Sequence, residues 1–241
     1  HTYDLPDRYV LYLAGHDGGG GIGKAMAEWI IDGHTEWDLH AYRAWRFSRT
    51  YADPHYAAER AKECYKYYYY TNYPHDESMV CRPRRIGALH QRMQDLGAVF
   101  GTKNGWERVN YFNPGQNWRI AGEEQREWGG WAKPAYFDAV GKECEAVRNR
   151  LGMIDLSSFG KIDLKGPGAL PLLQRLTCND VDQAEGSVVY AQFLDQQGGV
   201  VGDVVITRLA LHHFRVVSGS AHVDSDLGWI RSHLKVEDQS V

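Results

Sequence analysis

The sequence predicts an α+β fold, in which helices and antiparallel strands follow one another in short units. Two alternating apolar runs, Val188–Leu194 and Val200–Leu209, are joined by a polar turn that contains glycine. This is the pattern of a β-hairpin. Helices are predicted on either side of the hairpin, and Ile22–Ile31 shows the apolar spacing of a helix most clearly. Neither element type dominates the chain.

Composition excludes several classes of function. The chain has 241 residues and a formal net charge of −4, so it offers no basic footprint for nucleic acid. Its four cysteines have no CxxC spacing, which argues against a zinc site and against a disulfide framework, and no metal ligands are predicted. No apolar run reaches membrane length, and we expect no signal peptide. We expect neither a nucleic-acid nor a membrane partner, and a cytoplasmic location, or the mitochondrial matrix in a eukaryote.

The first predicted unit consists of a strand, a glycine loop and a helix. Tyr9–Ala14 is apolar and β-prone, and Gly15–Gly21 is predicted to be irregular because most of it is glycine. Ile22–Ile31 is the helix, and Gly33 is its predicted C-cap.

The middle of the chain predicts two helices and a strand pair. Asp53-Pro54 predicts a helix start, and Tyr56–Tyr70 has helical propensity. Ile86–Leu96 is predicted to be helical with its leucines on one face, and Gly97–Phe112 to form a strand and turn. Glu107 and Arg108, in this segment, are predicted to be ion-pair partners rather than catalysts.

The last part of the chain predicts further helices and strands around the hairpin. Tyr136–Leu151 is predicted as an amphipathic helix with Gly152 as its C-cap, followed by a strand pair in Met153–Leu164. After the hairpin, Phe214–Ser218 is a predicted strand and His222–Leu234 a predicted helix with its leucines inward. Ala169–Leu176, before the hairpin, is predicted to be helical, which completes the α+β pattern.

Asp203 interrupts the second apolar run of the hairpin. A carboxylate in such a strand costs free energy unless it is hydrogen-bonded or serves chemistry. The pattern alone leaves two interpretations open, a functional carboxylate or an aspartate at a bulge beside Gly202.

Several motifs, in order, resemble those of the aminomethyltransferase (glycine-cleavage T protein) fold. GGVVGDVVI, which ends at Ile206, resembles the strand that carries the folate-site aspartate of that family. Gly152–Lys165 (GMIDLSSFGKIDLK) resembles its first signature, and Leu173–Val181 (LQRLTCNDV) its helix and Asn-Asp-Val. Tyr190 stands where the family has a tyrosine that contacts the pterin. The resemblance therefore implies a folate site.

Two earlier stretches resemble amine-oxidising flavoproteins of the dimethylglycine and sarcosine dehydrogenase type. GGIGKAMAEWI, which ends at Ile30, resembles their closing strand, loop and helix, and Cys81–Phe112 resembles their connecting domain. By this resemblance Gly21, Ile22 and Gly23 face the flavin ring. Because the GxGxxG fingerprint is absent, FAD binding is implied only together with a missing N-terminal domain.

The resemblance implies a fragment of a bifunctional enzyme with three parts. They are 1–36, the end of an FAD-dependent oxidoreductase domain; 37–112, a connecting domain; and 113–241, the first part of a folate-binding domain. The implied enzyme oxidatively demethylates a small methylated amine, of the dimethylglycine or sarcosine type, with FAD. It then passes the one-carbon unit to tetrahydrofolate.

The resemblance also assigns the site residues. Asp203 is expected to be catalytic: it would orient the tetrahydrofolate amine and manage its proton as the one-carbon unit arrives. Tyr190, Phe159 and Asp203 are expected to contact folate, and Phe159 stands where the T protein commonly has methionine. Further folate contacts of the family are expected beyond Val241, so the site is expected to be incomplete.

Two alternatives remain open at this stage. Instead of a fragment of the bifunctional enzyme, the chain could be a folate-binding module that needs a separate flavin-bearing partner chain, or a non-catalytic scaffold that kept the fold. Saturable folate binding without flavin is expected of the first alternative. Retention of Asp203 and Tyr190 argues mildly against the second.

Overall fold

The computed structural model has the α+β fold that the sequence predicts. It describes residues 19–39, 44–47, 49–68, 77–114, 119–120 and 136–234. Within these ranges lie six α-helices, a three-stranded sheet and a four-stranded sheet. The predicted strand at Tyr9–Ala14 lies outside them. No helix in these ranges is long and apolar enough to cross a membrane.

Helix α1 spans Gly19–Asp32 and begins three residues earlier than predicted. The prediction that all of Gly15–Gly21 is irregular is therefore wrong for its last three residues. Glycine lowers helix propensity by about 1 kcal/mol relative to alanine but does not forbid the conformation. The helix ends as predicted at Gly33, which has a φ of 76° and donates its N–H to the Trp29 carbonyl at 3.2 Å.

Helix α2 spans Pro54–Lys66 and starts where the sequence predicts. The Asp53 Oδ1 accepts hydrogen bonds from the backbone N–H groups of His55 (3.0 Å) and Tyr56 (3.3 Å), so Asp53 is an N-cap. The helix ends at Lys66 rather than at Tyr70.

The first sheet has the order β2-β1-β3, with β1 at Ala98–Lys103, β2 at Trp106–Phe112 and β3 at Arg119–Ile120. The predicted strand and turn are an antiparallel hairpin. Asn104-Gly105 connects its strands with positive φ at both residues, as a two-residue hairpin loop requires.

Helix α3 is shorter than predicted, since it spans only His90–Asp95. Ile86 lies outside the helix, and the preceding residue, Arg85, forms a bridge with Trp106 in which the Arg85 N–H donates to the Gly105 carbonyl at 2.9 Å. Ile86, Leu89 and Leu96 are exposed, so the predicted apolar face is wrong.

A buried ion pair fastens the segment before α3 to this sheet. The Arg82 guanidinium donates to both Glu107 oxygens, at 3.0 Å from Nε and 2.5 Å from Nη2, and the two side chains are 4% and 2% exposed. Arg82 also donates to the carbonyls of Ser78 and Phe100, each at 3.1 Å. Glu107 is an ion-pair partner, as predicted, but its partner comes from 25 residues away rather than from the next position.

Helix α4 spans Phe137–Asn149, and its Val140 packs against the buried Val99 and Tyr111 of the first sheet. Its C-cap is Arg150, so the predicted cap at Gly152 is wrong. The predicted strand pair in Met153–Leu164 is also wrong, because only β4, at Gly160–Lys165, is a strand.

The second sheet is antiparallel, with the order β4-β7-β6-β5. The central hairpin is confirmed as β5 (Val188–Leu194) and β6 (Val200–Ala210), and the next strand as β7 (His213–Ser218). Helix α5 matches its predicted bounds, Ala169–Leu176.

Helix α6 spans Val223–Ser232 and packs with α5 against the second sheet. Ile230 is buried as predicted and Leu227 is partly buried, whereas Leu234 is exposed because the helix ends before it. The main core holds α5, α6 and one face of the sheet; its largest fully buried side chains include Leu172, Leu173, Phe193, Ile206 and Phe214.

Burial alternates along the strands of the second sheet. In β4 every second residue is buried and those between are exposed, and β7 alternates between buried and half-buried residues. Successive side chains of a strand point to opposite faces, so the helices cover one face only. The other face is open in the described part of the chain.

The same core buries one carboxyl group that no cation pairs with. Asp226 of α6 is 1% exposed, and Ser218 Oγ donates to its Oδ2. Within the described ranges its Oδ1 has no hydrogen-bond partner. Burial raises the pKa of Asp226 from 3.8 to about 6.

Replacing Arg82 with leucine is expected to lower the free energy of unfolding by about 3–5 kcal/mol, because it leaves the Glu107 carboxylate buried without a partner. Arg84→Leu is the matched control, since Arg84 pairs with Asp53 at 3.0 Å in a partly exposed position. That change is expected to cost about 0–1 kcal/mol. Urea unfolding monitored by circular dichroism measures both, and equal losses would contradict the role of the buried pair.

Asp226 predicts a pH dependence of stability. Its folded pKa is about 6 and its ordinary value 3.8, so between these values the folded state binds more protons than the unfolded state. The contribution of Asp226 to unfolding free energy therefore falls as pH rises from about 4 to 6, by about 3 kcal/mol, and stays level above.

Urea unfolding of the unaltered chain and of Asp226→Asn, at pH 4, 5, 6 and 7, tests this. The difference between the two is expected to grow in favour of the variant across the window. Parallel curves would show that Asp226 does not titrate there.

Candidate functional site

A cross-strand row on the open face of the second sheet forms a partly apolar platform. Tyr190 of β5 lies opposite Val205 of β6, which lies opposite Val217 of β7, which lies opposite Lys161 of β4. The two valines are half-buried and Tyr190 is 56% exposed. Cross-strand neighbours stand close enough for their side chains to form one continuous surface. The row therefore presents a flat aromatic and aliphatic surface.

Asp203 lies beside this platform. It is two residues before Val205 on the same face of β6, opposite Gln192 of β5, and it is exposed. The Tyr190 hydroxyl donates to Asp203 Oδ2 at 3.4 Å. The structure thus brings together the two residues that the sequence predicts to share a site.

The sequence left two interpretations of Gly202-Asp203 open, a bulge and a functional carboxylate, and the structure contains both a bulge and an exposed carboxylate. The pairing of β5 with β6 shifts between Phe193 and Leu194, which leaves Val201 as an extra residue beside Gly202. Asp203 itself keeps regular pairing with Gln192. The bulge therefore lies at Val201 and Gly202, and Asp203 belongs to a regularly paired part of the strand.

Phe159 is positioned at the same end of the sheet as Asp203. It immediately precedes Gly160, which pairs with Ser218, and Ser218 pairs with Val204, the residue after Asp203. Phe159 is half-buried, and the Arg108 guanidinium lies 5.5 Å from its ring centroid. All three predicted folate residues therefore lie at one end of one sheet.

A second carboxylate on the open face is already neutralised. Arg215 donates to both oxygens of Asp163, at 2.7 and 2.9 Å, and His213 Nε2 lies 3.3 Å from it. These hydrogen bonds, those of Arg215 first, lower the pKa of Asp163 to about 2. Asp163 is therefore committed to Arg215, whereas Asp203 has a neutral hydroxyl as its neighbour.

A turn after α5 holds the edge strand that carries Tyr190. Asn179 Nδ2 donates to the Tyr190 carbonyl at 2.6 Å, and the Cys178 N–H donates to the Gln192 carbonyl at 3.1 Å. Asp180 accepts the Asp182 N–H at 2.9 Å, so it caps a turn. This turn fixes the side of the platform next to β5.

Sequence reasoning missed Asp226. It lies behind Gly202, where a Cβ atom would come within 2.5 Å of the Asp226 Oδ1. Only a glycine lets the carboxyl approach the strand this closely. The available signal was Gly202 itself, since a glycine inside a strand often marks a close approach by another group.

The predicted flavin residues lie in a different element. Gly21, Ile22 and Gly23 are in the first turns of α1, where Gly21 is near Trp37 and a Cβ on Gly23 would meet nothing within 4 Å. These residues show no cradle that a side chain would fill, and their flavin role stays a prediction. No group of three or more His, Cys, Asp or Glu side chains in the described ranges could hold a metal ion.

Two protein-family models match parts of the chain. Residues 89–241 match the model of the family described as the GCVT N-terminal domain, and residues 32–86 match the FAD dependent oxidoreductase central domain. Human mitochondrial sarcosine dehydrogenase is 34% identical over 214 residues, which are 81% of this chain and 23% of that protein.

Two further relatives have different names. The 4-methylaminobutanoate oxidase (formaldehyde-forming) of Paenarthrobacter nicotinovorans is 35% identical over 83% of this chain and 24% of its own length. The mitochondrial pyruvate dehydrogenase phosphatase regulatory subunit of Mus musculus is 32% identical over 92% of this chain and 25% of its own length. The chain thus spans about a quarter of the length of these curated relatives. It belongs to the GCVT N-terminal domain family and carries, ahead of that domain, an FAD dependent oxidoreductase central domain, as its resemblance to the dimethylglycine and sarcosine dehydrogenases predicted.

Proposed function

We propose that the open face of the second sheet binds tetrahydrofolate in an enzyme that oxidatively demethylates a small N-methylated amine with FAD. The one-carbon unit then passes to the folate. The observation that carries this proposal is the pairing of an exposed carboxylate, Asp203, with the Tyr190 hydroxyl beside a flat apolar row.

The residues present fit a folate ring. A pterin is flat and bears N–H groups at its edge, so it needs a stacking surface and a hydrogen-bond acceptor. The Tyr190 ring with Val205 and Val217 supplies the surface, and Asp203 supplies the acceptor. Phe159, at the same end of the sheet, adds a second aromatic ring.

Asp203 can act in two ways. A carboxylate that accepts a hydrogen bond from a ligand amine fixes the orientation of that amine. Its negative charge also stabilises positive charge on the same nitrogen, and its exposure to solvent gives a released proton a way out. The Tyr190 hydroxyl holds the Asp203 carboxylate toward the platform. Tetrahydrofolate and FAD, when bound, supply the nitrogens that take up the carbon and the acceptor for the hydride.

The names of the relatives support a methylated amine as substrate. One is a dehydrogenase of sarcosine and another an oxidase of 4-methylaminobutanoate, and both names describe N-methyl compounds. We propose the same substrate class here. FAD would contact Gly21, Ile22 and Gly23, or it would be bound by a separate partner chain. The first relative is named as mitochondrial, so the mitochondrial matrix is the proposed location if the source is a eukaryote.

A regulatory role is the second candidate. The relative that matches over 92% of this chain is named as a phosphatase regulatory subunit. A protein with that role needs the fold but not the site chemistry. Folate binding at Asp203 separates the two candidates, because only the enzymatic proposal requires it.

Asp203→Asn is expected to weaken 5-formyltetrahydrofolate binding about 10- to 100-fold, because it removes the charge from a hydrogen bond worth about 1.5–3 kcal/mol. Isothermal titration calorimetry measures the dissociation constant. Asp163→Asn is the matched control on the same face, and it is expected to bind within about two-fold of the unaltered chain, since Asp163 is paired with Arg215. Equal binding by both variants would reject Asp203 as a ligand, and no binding by the unaltered chain would reject a folate site formed by this face alone.

Two substitutions at Tyr190 separate stacking from hydrogen bonding. Tyr190→Phe keeps the ring and loses only a 3.4 Å contact, so about a two- to five-fold loss of affinity is expected. Tyr190→Ala removes the ring and is expected to cost at least about ten-fold. The same calorimetric titration applies. If both variants bind alike, stacking is not part of the site.

A further inference from the structure

Asp226 lies behind the strand that presents Asp203. Gly202 directly precedes Asp203 in β6, and a Cβ on Gly202 would come within 2.5 Å of the Asp226 Oδ1. Neighbouring residues of a strand point to opposite faces, so Gly202 faces the helices while Asp203 faces the open side. The two carboxyl groups are therefore separated by the backbone of one strand.

The fold does not need a carboxyl group at this position. Asp226 is 1% exposed, Ser218 Oγ donates to its Oδ2, and no residue that the structure describes donates to its Oδ1. A buried oxygen without a hydrogen bond is destabilising, and an apolar side chain would pack against the surrounding core without that cost. A buried group that costs stability and lies against a functional strand is a candidate for a role in the site.

Two charged groups act on Asp226 besides its burial. His222, the N-cap residue of α6, favours the ionised form, and Asp203, across β6, disfavours it. Ser218 of β7 also favours ionisation, through its hydrogen bond. Electrostatic coupling is mutual, so the charge on Asp226 acts on Asp203 as much as the reverse.

We propose that Asp226 is a positioning residue of the candidate folate site, which acts on the ligand through Asp203. Ionised Asp226 puts a second negative charge behind the strand and makes Asp203 a stronger hydrogen-bond acceptor for the ligand amine. Protonation of Asp226 removes that second negative charge. This inference rests on the proposed function for its ligand, but the coupling of the two carboxyl groups can be measured without one.

The first test follows the carboxyl carbon of Asp226 by NMR across pH 3 to 9 in the unaltered chain and in Asp203→Asn. Because Asp203 is exposed, this variant is expected to fold. The midpoint of Asp226 is expected to fall by at least about 0.3 pH unit, a two-fold change in proton affinity. Asp224→Asn is the control on the same helix, where Asp224 accepts a bond from Asn104 at 2.9 Å. Equal midpoints in Asp203→Asn and in this control would overturn the proposal.

The second test measures 5-formyltetrahydrofolate binding at pH 5 and pH 7.5 in the unaltered chain and in Asp226→Asn. The unaltered chain is expected to bind more tightly at the higher pH, and the variant to lose most of that difference. A purely structural role would weaken binding equally at both values and would overturn the inference. Absence of binding by the unaltered chain would reject the proposed function, while the NMR midpoints still decide the coupling.

Discussion

The two-residue alternation of the second sheet is the constraint on which the rest of the structure depends. Strands β4 to β7 place every second side chain under α5 and α6, and the remaining side chains lie on the open face. Tyr190, Val205 and Asp203 belong to that second set because of their register alone. A shift of one residue in β6 would bury the carboxylate and expose Val204 and Ile206, which lie in the core. The same strand pairing therefore determines which side chains form the core and which form the candidate site.

The two buried carboxyl groups of the described chain, Glu107 and Asp226, are accommodated in opposite ways. Glu107 is held by two hydrogen bonds from Arg82, so its burial is compensated and ties two distant segments together. Asp226 has one hydroxyl donor and an oxygen without a partner, and its pKa rises accordingly. The first arrangement satisfies both carboxylate oxygens with donors from one guanidinium. The second can change charge near neutral pH, immediately behind the candidate site.

The short length of the chain relative to its relatives bears on how the site is completed. The platform is open on one side in the described residues, and the chain spans about a quarter of the relatives that it matches. A folate ring laid on Tyr190 and Val205 would have its second face uncovered by them.

The sequence by itself determined the hairpin, the helix Ala169–Leu176 and the family, because alternation, turn glycines and motif order are local properties. It also placed Asp203 and Tyr190 on paired strands. It could not find the partner of Glu107 or the burial of Asp226, since both depend on residues that meet only in the folded chain. Nor could it show that Met153 lies outside any strand, because an apolar run has no strand until a neighbour pairs with it. Tertiary structure decided these points through long-range contacts, which no local pattern encodes.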